Sequence, residues 1–140
     1  MKSWDIKTIL LGYDGSAGAD QAAWLVSGLA QQNHARIVVV TAFHVRLEVG
    51  GEQERTIRAM FEAEEIASKI VGELQAAGIE AEAEVLEGPA GEGLLRAAEA
   101  HNADLIAVGR RGHGLTAGLL LGSTSEYVMR QAKVPVLVAH

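Results

Sequence analysis

The chain reads as a single α/β domain, a parallel sheet with helices on both faces, and three observations predict it. Short apolar runs alternate with segments of helical periodicity along 140 residues. Several of those runs are continuous in hydrophobicity, as parallel strands covered on both faces have to be. The run ending at Val108 opens into a glycine-rich loop that closes on Ser123, Thr124 and Ser125, and strand-to-helix loops of this kind receive anions in α/β proteins.

The elements follow in order. Lys7 to Gly12 (KTILLG) is the first strand, ended by the turn residues Tyr13, Asp14, Gly15 and Ser16. Ser16 is placed as an N-cap, and Ala22, Ala23, Leu25, Val26, Leu29 and Ala30 recur at helical spacing as far as Asn33. Arg36 to Phe43, rich in β-branched residues, is the second strand. A loop with Gly50 and Gly51 leads into a helix over Glu54 to Ala77, whose expected stripe is Ile57, Met60, Phe61, Ile66, Ile70, Val71 and Leu74, with Gly78 as its stop. Met60 and Phe61 are expected in the core, and Glu62, Glu64 and Glu65 on a solvated face.

Ile79 to Leu86 alternates strictly, with Glu80, Glu82 and Glu84 on one side, which places this third strand at an edge of the sheet. Gly88 and Pro89 turn the chain into a helix over Glu92 to His101 that buries Leu94, Leu95 and Ala98. Leu105 to Val108 is the fourth strand. Ser123 and Glu126 have the S-x-x-E spacing of a capping box, so the last helix is expected from Ser123 to about Ala132. Val134 to Ala139 is the fifth strand, and it is apolar enough to pair with another copy at an open edge. The alternative is an edge covered by residues 1–5 with Trp4 as the plug.

Composition bounds the function. A net charge of −6 argues against nucleic acid as a principal partner, because that binding relies on Lys and Arg neutralising phosphates. Zero cysteines excludes disulfides, thiol catalysis and thiolate zinc sites, and fits a reducing compartment. The five histidines are scattered without metal-ligand spacing. No apolar stretch approaches membrane-spanning length, and the opening MKSWDIKTILLG is too short in apolar residues for a signal core, so a cytoplasmic location is expected.

Gly109, Gly112, Gly114, Gly118 and Gly122 punctuate the long loop. Such spacing serves plain turns or brings backbone amides round a phosphate, assisted by the dipole and unpaired N–H groups of the helix that follows. No Walker A lysine is present, and the G-x-G-x-x-A of Gly112, Gly114 and Ala117 does not open a helix as a dinucleotide fingerprint must. Asp14 is a turn residue or a carboxylate facing a ligand. Arg110 and Arg111 are solvated loop cations or supports for phosphate.

The spacing Gly109-x2-Gly112-x9-Gly122-Ser123 resembles the G-x2-G-x9-G-[ST] signature of the universal stress protein family, in its ATP-binding subgroup. ILLGYDGS near the start and KVPVLVAH at the end are similar to the family's first and last strands, so the resemblance covers almost the whole chain. It implies a Rossmann-like open five-stranded parallel sheet of order 3-2-1-4-5, with a crevice outside the carboxyl ends of strands one and four. It further implies an adenine nucleotide, ATP above all, as ligand. Asp14, Ala42, Val108 and Gly109 would lie toward the nucleoside, Gly112, Gly122, Ser123 and Thr124 toward the phosphates with Arg111 as a supporting cation, and Tyr13 would belong to the same nucleotide-binding set. Mg2+ or Mn2+ would arrive with the triphosphate and bridge its oxygens. The family pattern also implies a homodimer through Val136, Leu137 and Val138, and a regulatory role in stress response. A slow ATPase and a nucleotide-free interaction module are the alternatives, since no base or nucleophile is directed at the phosphate end.

Overall fold

The computed structural model of the chain describes residues 3–44, 52–110 and 121–140, with the side chains of 52–54 left aside. Nine elements alternate along it: β1 (Thr8–Gly12), α1 (Ala17–Asn33), β2 (Arg36–Phe43), α2 (Glu52–Ala76), β3 (Ala81–Glu87), α3 (Ala90–Ala100), β4 (Leu105–Gly109), α4 (Ser123–Gln131) and β5 (Val136–Ala139). The five strands form one sheet in the order β3-β2-β1-β4-β5, every neighbouring pair parallel.

The period-two geometry of a strand explains the continuous apolar runs. Ile9 and Leu11 of β1, Ile37 and Val39 of β2 and Leu105 and Ala107 of β4 point to one face, where Ala22, Val26, Ala67, Ile70 and Leu74 of α1 and α2 cover them. Leu10, Val38, Val40, Ile106 and Val108 point to the other, against Leu94, Ala97 and Ala98 of α3 and Val128 of α4. Both faces are dry along the middle of these strands, so Ile9 to Leu11, Ile37 to Val40 and Leu105 to Val108 are apolar without interruption.

α1 begins as expected, Ser16 Oγ accepting from the Ala19 amide at 3.2 Å, and it ends at His34 in the left-handed region (φ 55°). α2 buries the second half of the expected stripe, Ile70 and Leu74 with Val71 packed beside them, but not the first. Ala63, Ala67, Ile70 and Leu74 face the sheet, whereas Phe61 is 56% exposed and Ile57 50%. Phe61 lies two residues before Ala63, roughly 200° round a helix with 3.6 residues per turn, and Ile57 shares its strip. Gly78 ends the segment at φ 80°. α3 starts two residues earlier than expected and leaves Leu95 only half-buried.

β3 and β5 are the two edges. Along β3, Glu82 and Ala83 are both exposed, which fits an edge rather than a strand with one dry face. β5 is shorter than expected, beginning after Pro135, and its Val136, Leu137 and Val138 are half-buried. Trp4 is 53% exposed and does not plug anything.

Candidate functional site

The carboxyl ends of β1, β2 and β4 and the first turns of three helices enclose a crevice of about 290 Å3. From β1 and the turn after it come Gly12, Tyr13, Asp14 and Ser16; from β2 and its end, Val40, Ala42 and His44. The end of β4 supplies Val108, Gly109 and Arg110, and the start of α4 supplies Gly122, Ser123, Thr124 and Ser125. Ala90 and Leu94 of α3 close the remaining wall. Parallel strands all finish at this end, and every helix that follows one turns its amino end toward it.

Three bonds among the described residues help to fix the turn after β1. The Tyr13 amide donates to Val40 O (3.0 Å), the Thr41 hydroxyl donates to Tyr13 O (2.8 Å), and Asp14 Oδ1 accepts from the Ser16 amide (2.9 Å). The last is an Asx turn, so the turn role anticipated for Asp14 is realised, and the half-buried carboxylate borders the crevice as well. Gly15 supplies the positive φ of 79° that the turn requires. The Tyr13 hydroxyl donates to the Asp20 carboxylate on α1. Burial pushes the Tyr13 phenol well above its ordinary range, and the hydrogen bond and negative charge of Asp20, with Glu73 and Asp14 beyond it, push the same way.

Among the described residues, one carbonyl joins the segment after β4 to the start of α4. Arg110 O accepts from the Gly122 amide (2.7 Å) and from the Ser125 hydroxyl (2.9 Å), while the Arg110 amide donates to Ala139 O of β5 (2.6 Å). This corrects the expectation of a capping box. The N-cap of α4 is Gly122 rather than Ser123, and no side chain bonds as a cap, so the S-x-x-E spacing is not a capping box here. Ser125 is buried, and its one hydroxyl proton has Arg110 O and Gly122 O (3.0 Å) as acceptors, so the hydroxyl is engaged within the protein. Ser123 and Thr124 remain on the crevice wall. The amides of the first helical turn have no acceptor within their own helix, the Glu126 amide being the first to find one at Gly122 O (3.0 Å).

Gly109 is glycine for a packing reason. A Cβ there would stand 2.5 Å from the Gly18 carbonyl carbon and 2.8 Å from the Ala19 nitrogen, because the first turn of α1 rests on the end of β4. At Gly12 a Cβ would meet Leu94 Cδ1 at 2.9 Å and Val108 Cγ1 at 3.1 Å, so the apolar floor of the crevice reaches up to the backbone of β1.

Of the residues singled out from sequence, Tyr13, Asp14, Ala42, Val108, Gly109, Gly122, Ser123 and Thr124 all line this one space. Ala42 sits in β2, one residue before its end. Arg111 and Gly112, with His113, lie outside the described residues. Sequence reasoning missed Ala90 and Leu94, because Leu94 is indistinguishable by pattern from an ordinary core residue. It also missed His44, whose only signal was its place immediately after β2. Among the described residues no cluster of three or more metal-ligating side chains occurs, and no helix is long and apolar enough to cross a membrane.

A model of the universal stress protein family matches residues 5–140. The chain belongs to the universal stress protein family. A relative from Thermus aquaticus, the universal stress protein in the QAH/OAS sulfhydrylase 3' region, is 38% identical over 136 residues, covering 94% of this chain and 97% of its own. The structure of the hypothetical protein MJ0577 superposes with a TM-score of 0.88 at 25% identity, covering 96% of each chain. A universal stress protein solved in complex with cAMP superposes with a TM-score of 0.76 at 26% identity, covering 97% of this chain and 98% of that one. The family's open sheet of order 3-2-1-4-5 is thus the fold of this chain.

Proposed function

We propose that this chain is an adenine-nucleotide-binding regulatory protein of stress response, with ATP as the ligand. The carrying observation is convergence: Asp14 after β1, Ala42 in β2, Val108 and Gly109 at the end of β4, and Gly122, Ser123 and Thr124 at the start of α4 border one crevice. The nucleoside lies toward Asp14 and Ala42, over the apolar floor made by Leu94 and Val108. The phosphates lie toward Ser123 and Thr124, where the helix dipole and unpaired amides favour negative charge. Arg111 and Gly112 complete the phosphate side in this proposal, and a divalent ion enters with the triphosphate. A relative of the same fold solved with cAMP supports the adenine part of the assignment. The second part of the proposal is a homodimer formed by pairing of β5 around Val136, Leu137 and Val138, the edge that carries no acidic residue.

Binding to the folded state alone stabilises it by RT ln(1 + [L]/Kd), about 2.7 kcal/mol at a hundredfold excess over Kd. A melt with millimolar Mg-ATP is therefore expected to shift upward, and Gly122→Val to abolish the shift by filling the neck of the loop. No shift, together with no heat of binding in calorimetry, refutes the assignment. Mass spectrometry of the small molecule released on denaturation distinguishes ATP from AMP and cyclic nucleotides. For the dimer, light scattering is expected to give twice the chain mass, and Leu137→Glu to halve it.

A further inference from the structure

Tyr127 is 39% exposed, yet one face of its side chain lies directly on the backbone of Gly91. A Cβ built on Gly91 would stand 2.6 Å from Tyr127 Cδ1, 3.1 Å from Cγ and 3.3 Å from Cβ. Turning the ring away would relieve the first two distances and leave the third tight. Gly91 is the second residue of α3, next to Ala90 on the crevice wall. Tyr127 follows Ser123 by four residues, so the two share a side of α4 one turn apart.

The start of α4 is therefore held from two directions. On one, Arg110 O bonds the Gly122 amide and the Ser125 hydroxyl. On the other, α3 meets α4 with no side chain between the Gly91 backbone and the Tyr127 ring. β5 is the remaining described element against which α4 packs appreciably. A methyl group at position 91 would push α4 about its Arg110 anchor and carry Ser123 and Thr124 out of place. The turn holding Asp14 is bonded to β2 and would stay where it is.

We infer that the Gly91–Tyr127 contact is a positioning strut that sets how far the amino end of α4 stands from the rest of the crevice, and hence how well the site holds phosphate as distinct from nucleoside. This rests on the nucleotide assignment proposed above.

The experiment is calorimetric titration of the full chain with Mg-ATP and, separately, with adenosine. Gly91→Ala is expected to weaken ATP about tenfold while adenosine stays within about twofold; Tyr127→Ala, which only loosens the strut, weakens ATP about threefold. The double variant, which removes Cδ1 and Cγ and leaves only the 3.3 Å contact with the Cβ of residue 127, is expected to lie closer to Tyr127→Ala than to Gly91→Ala rather than add the two losses. Should Gly91→Ala not fold, the ATP-to-adenosine ratio of Tyr127→Ala carries the test. Equal losses for both ligands, unchanged ATP binding in the variants, or a double variant no better than Gly91→Ala overturns the strut. If the unaltered chain binds neither ligand, the nucleotide assignment falls and the strut with it; if it binds both and the ratio does not move, only the strut falls.

Discussion

At the amino ends of the strands, Asp104 accepts from the backbone amides of Lys7 (2.8 Å) and Thr8 (3.0 Å). Arg36 bonds Thr8 Oγ1 (3.1 Å) and Glu82 (2.9 Å), and the His101 ring lies against Glu84. At the carboxyl ends, Asp14, Ser123, Thr124 and three helix amino ends border open space of about 290 Å3. The same residue types serve both ends. Below the sheet the polar groups satisfy one another across strands, and above it they surround a gap shaped by glycines. A ligand site in this fold is thus marked by polar groups arranged round a gap, not by polar groups as such. Substitutions at the two ends should separate stability from binding.

The largest effect is expected at Gly109. Adding a methyl 2.5 Å from backbone carbon forces α1 off β4, and Gly109→Ala should cost about 3 kcal/mol in urea unfolding, at the upper end for overpacking, and weaken nucleotide binding with it. Gly72, in an exposed turn of α2 with nothing near its Cβ position, is the control. Gly72→Ala should stabilise by about 0.5–1 kcal/mol through helix propensity and leave binding alone. Equal effects at the two positions would remove the packing account of Gly109.

At the lower end, Asp104→Ala leaves the Lys7 and Thr8 amides without their carboxylate acceptor and should cost about 2 kcal/mol. Nucleotide affinity should be unchanged when the variant is measured well below its melting temperature. A loss of affinity there would break the separation between the two ends. Ser125→Ala comes next. It removes one of two donors to Arg110 O at the neck of the loop, and should cost about 1 kcal/mol together with a measurable loss of ATP affinity.

These expectations also show what was readable in the residue order. Strand positions were legible because burial on both faces leaves only apolar residues at Ile9, Leu10, Ile37, Val38, Leu105 and Ile106. The crevice was legible because turn glycines, Asp14 and the hydroxyl residues stand where strands end. What stayed hidden depended on partners distant in sequence. Nothing near Ser125 announces that its hydroxyl turns to Arg110, fifteen residues earlier, and the capping-box spacing pointed to Ser123 instead. In the first half of α2, Ala63 and Ala67 face the core while the larger Ile57 and Phe61 face outward, a phase that the apolar pattern alone does not fix. The contact of Gly91 with Tyr127 joins two helices separated by β4 and the long loop.

The smallest effect concerns pH and the turn that carries Asp14. The Tyr13 phenol is held well above its ordinary value of 10.0 by burial and by Asp20, so the folded chain keeps this proton where the unfolded chain releases it. The sign follows from linkage: the contribution is fully present below about pH 10 and is lost as pH rises beyond it, because only the unfolded state then gains from ionisation. Tyr13→Phe should therefore be slightly less stable than the parent near neutrality, having lost the bond to Asp20, and the gap should narrow above pH 10. Urea midpoints at pH 7, 9 and 10.5 provide the measurement. A gap that stays constant with pH would mean that the phenol ionises alike in both states, leaving the Tyr13–Asp20 bond no part in fixing the upper end of the sheet.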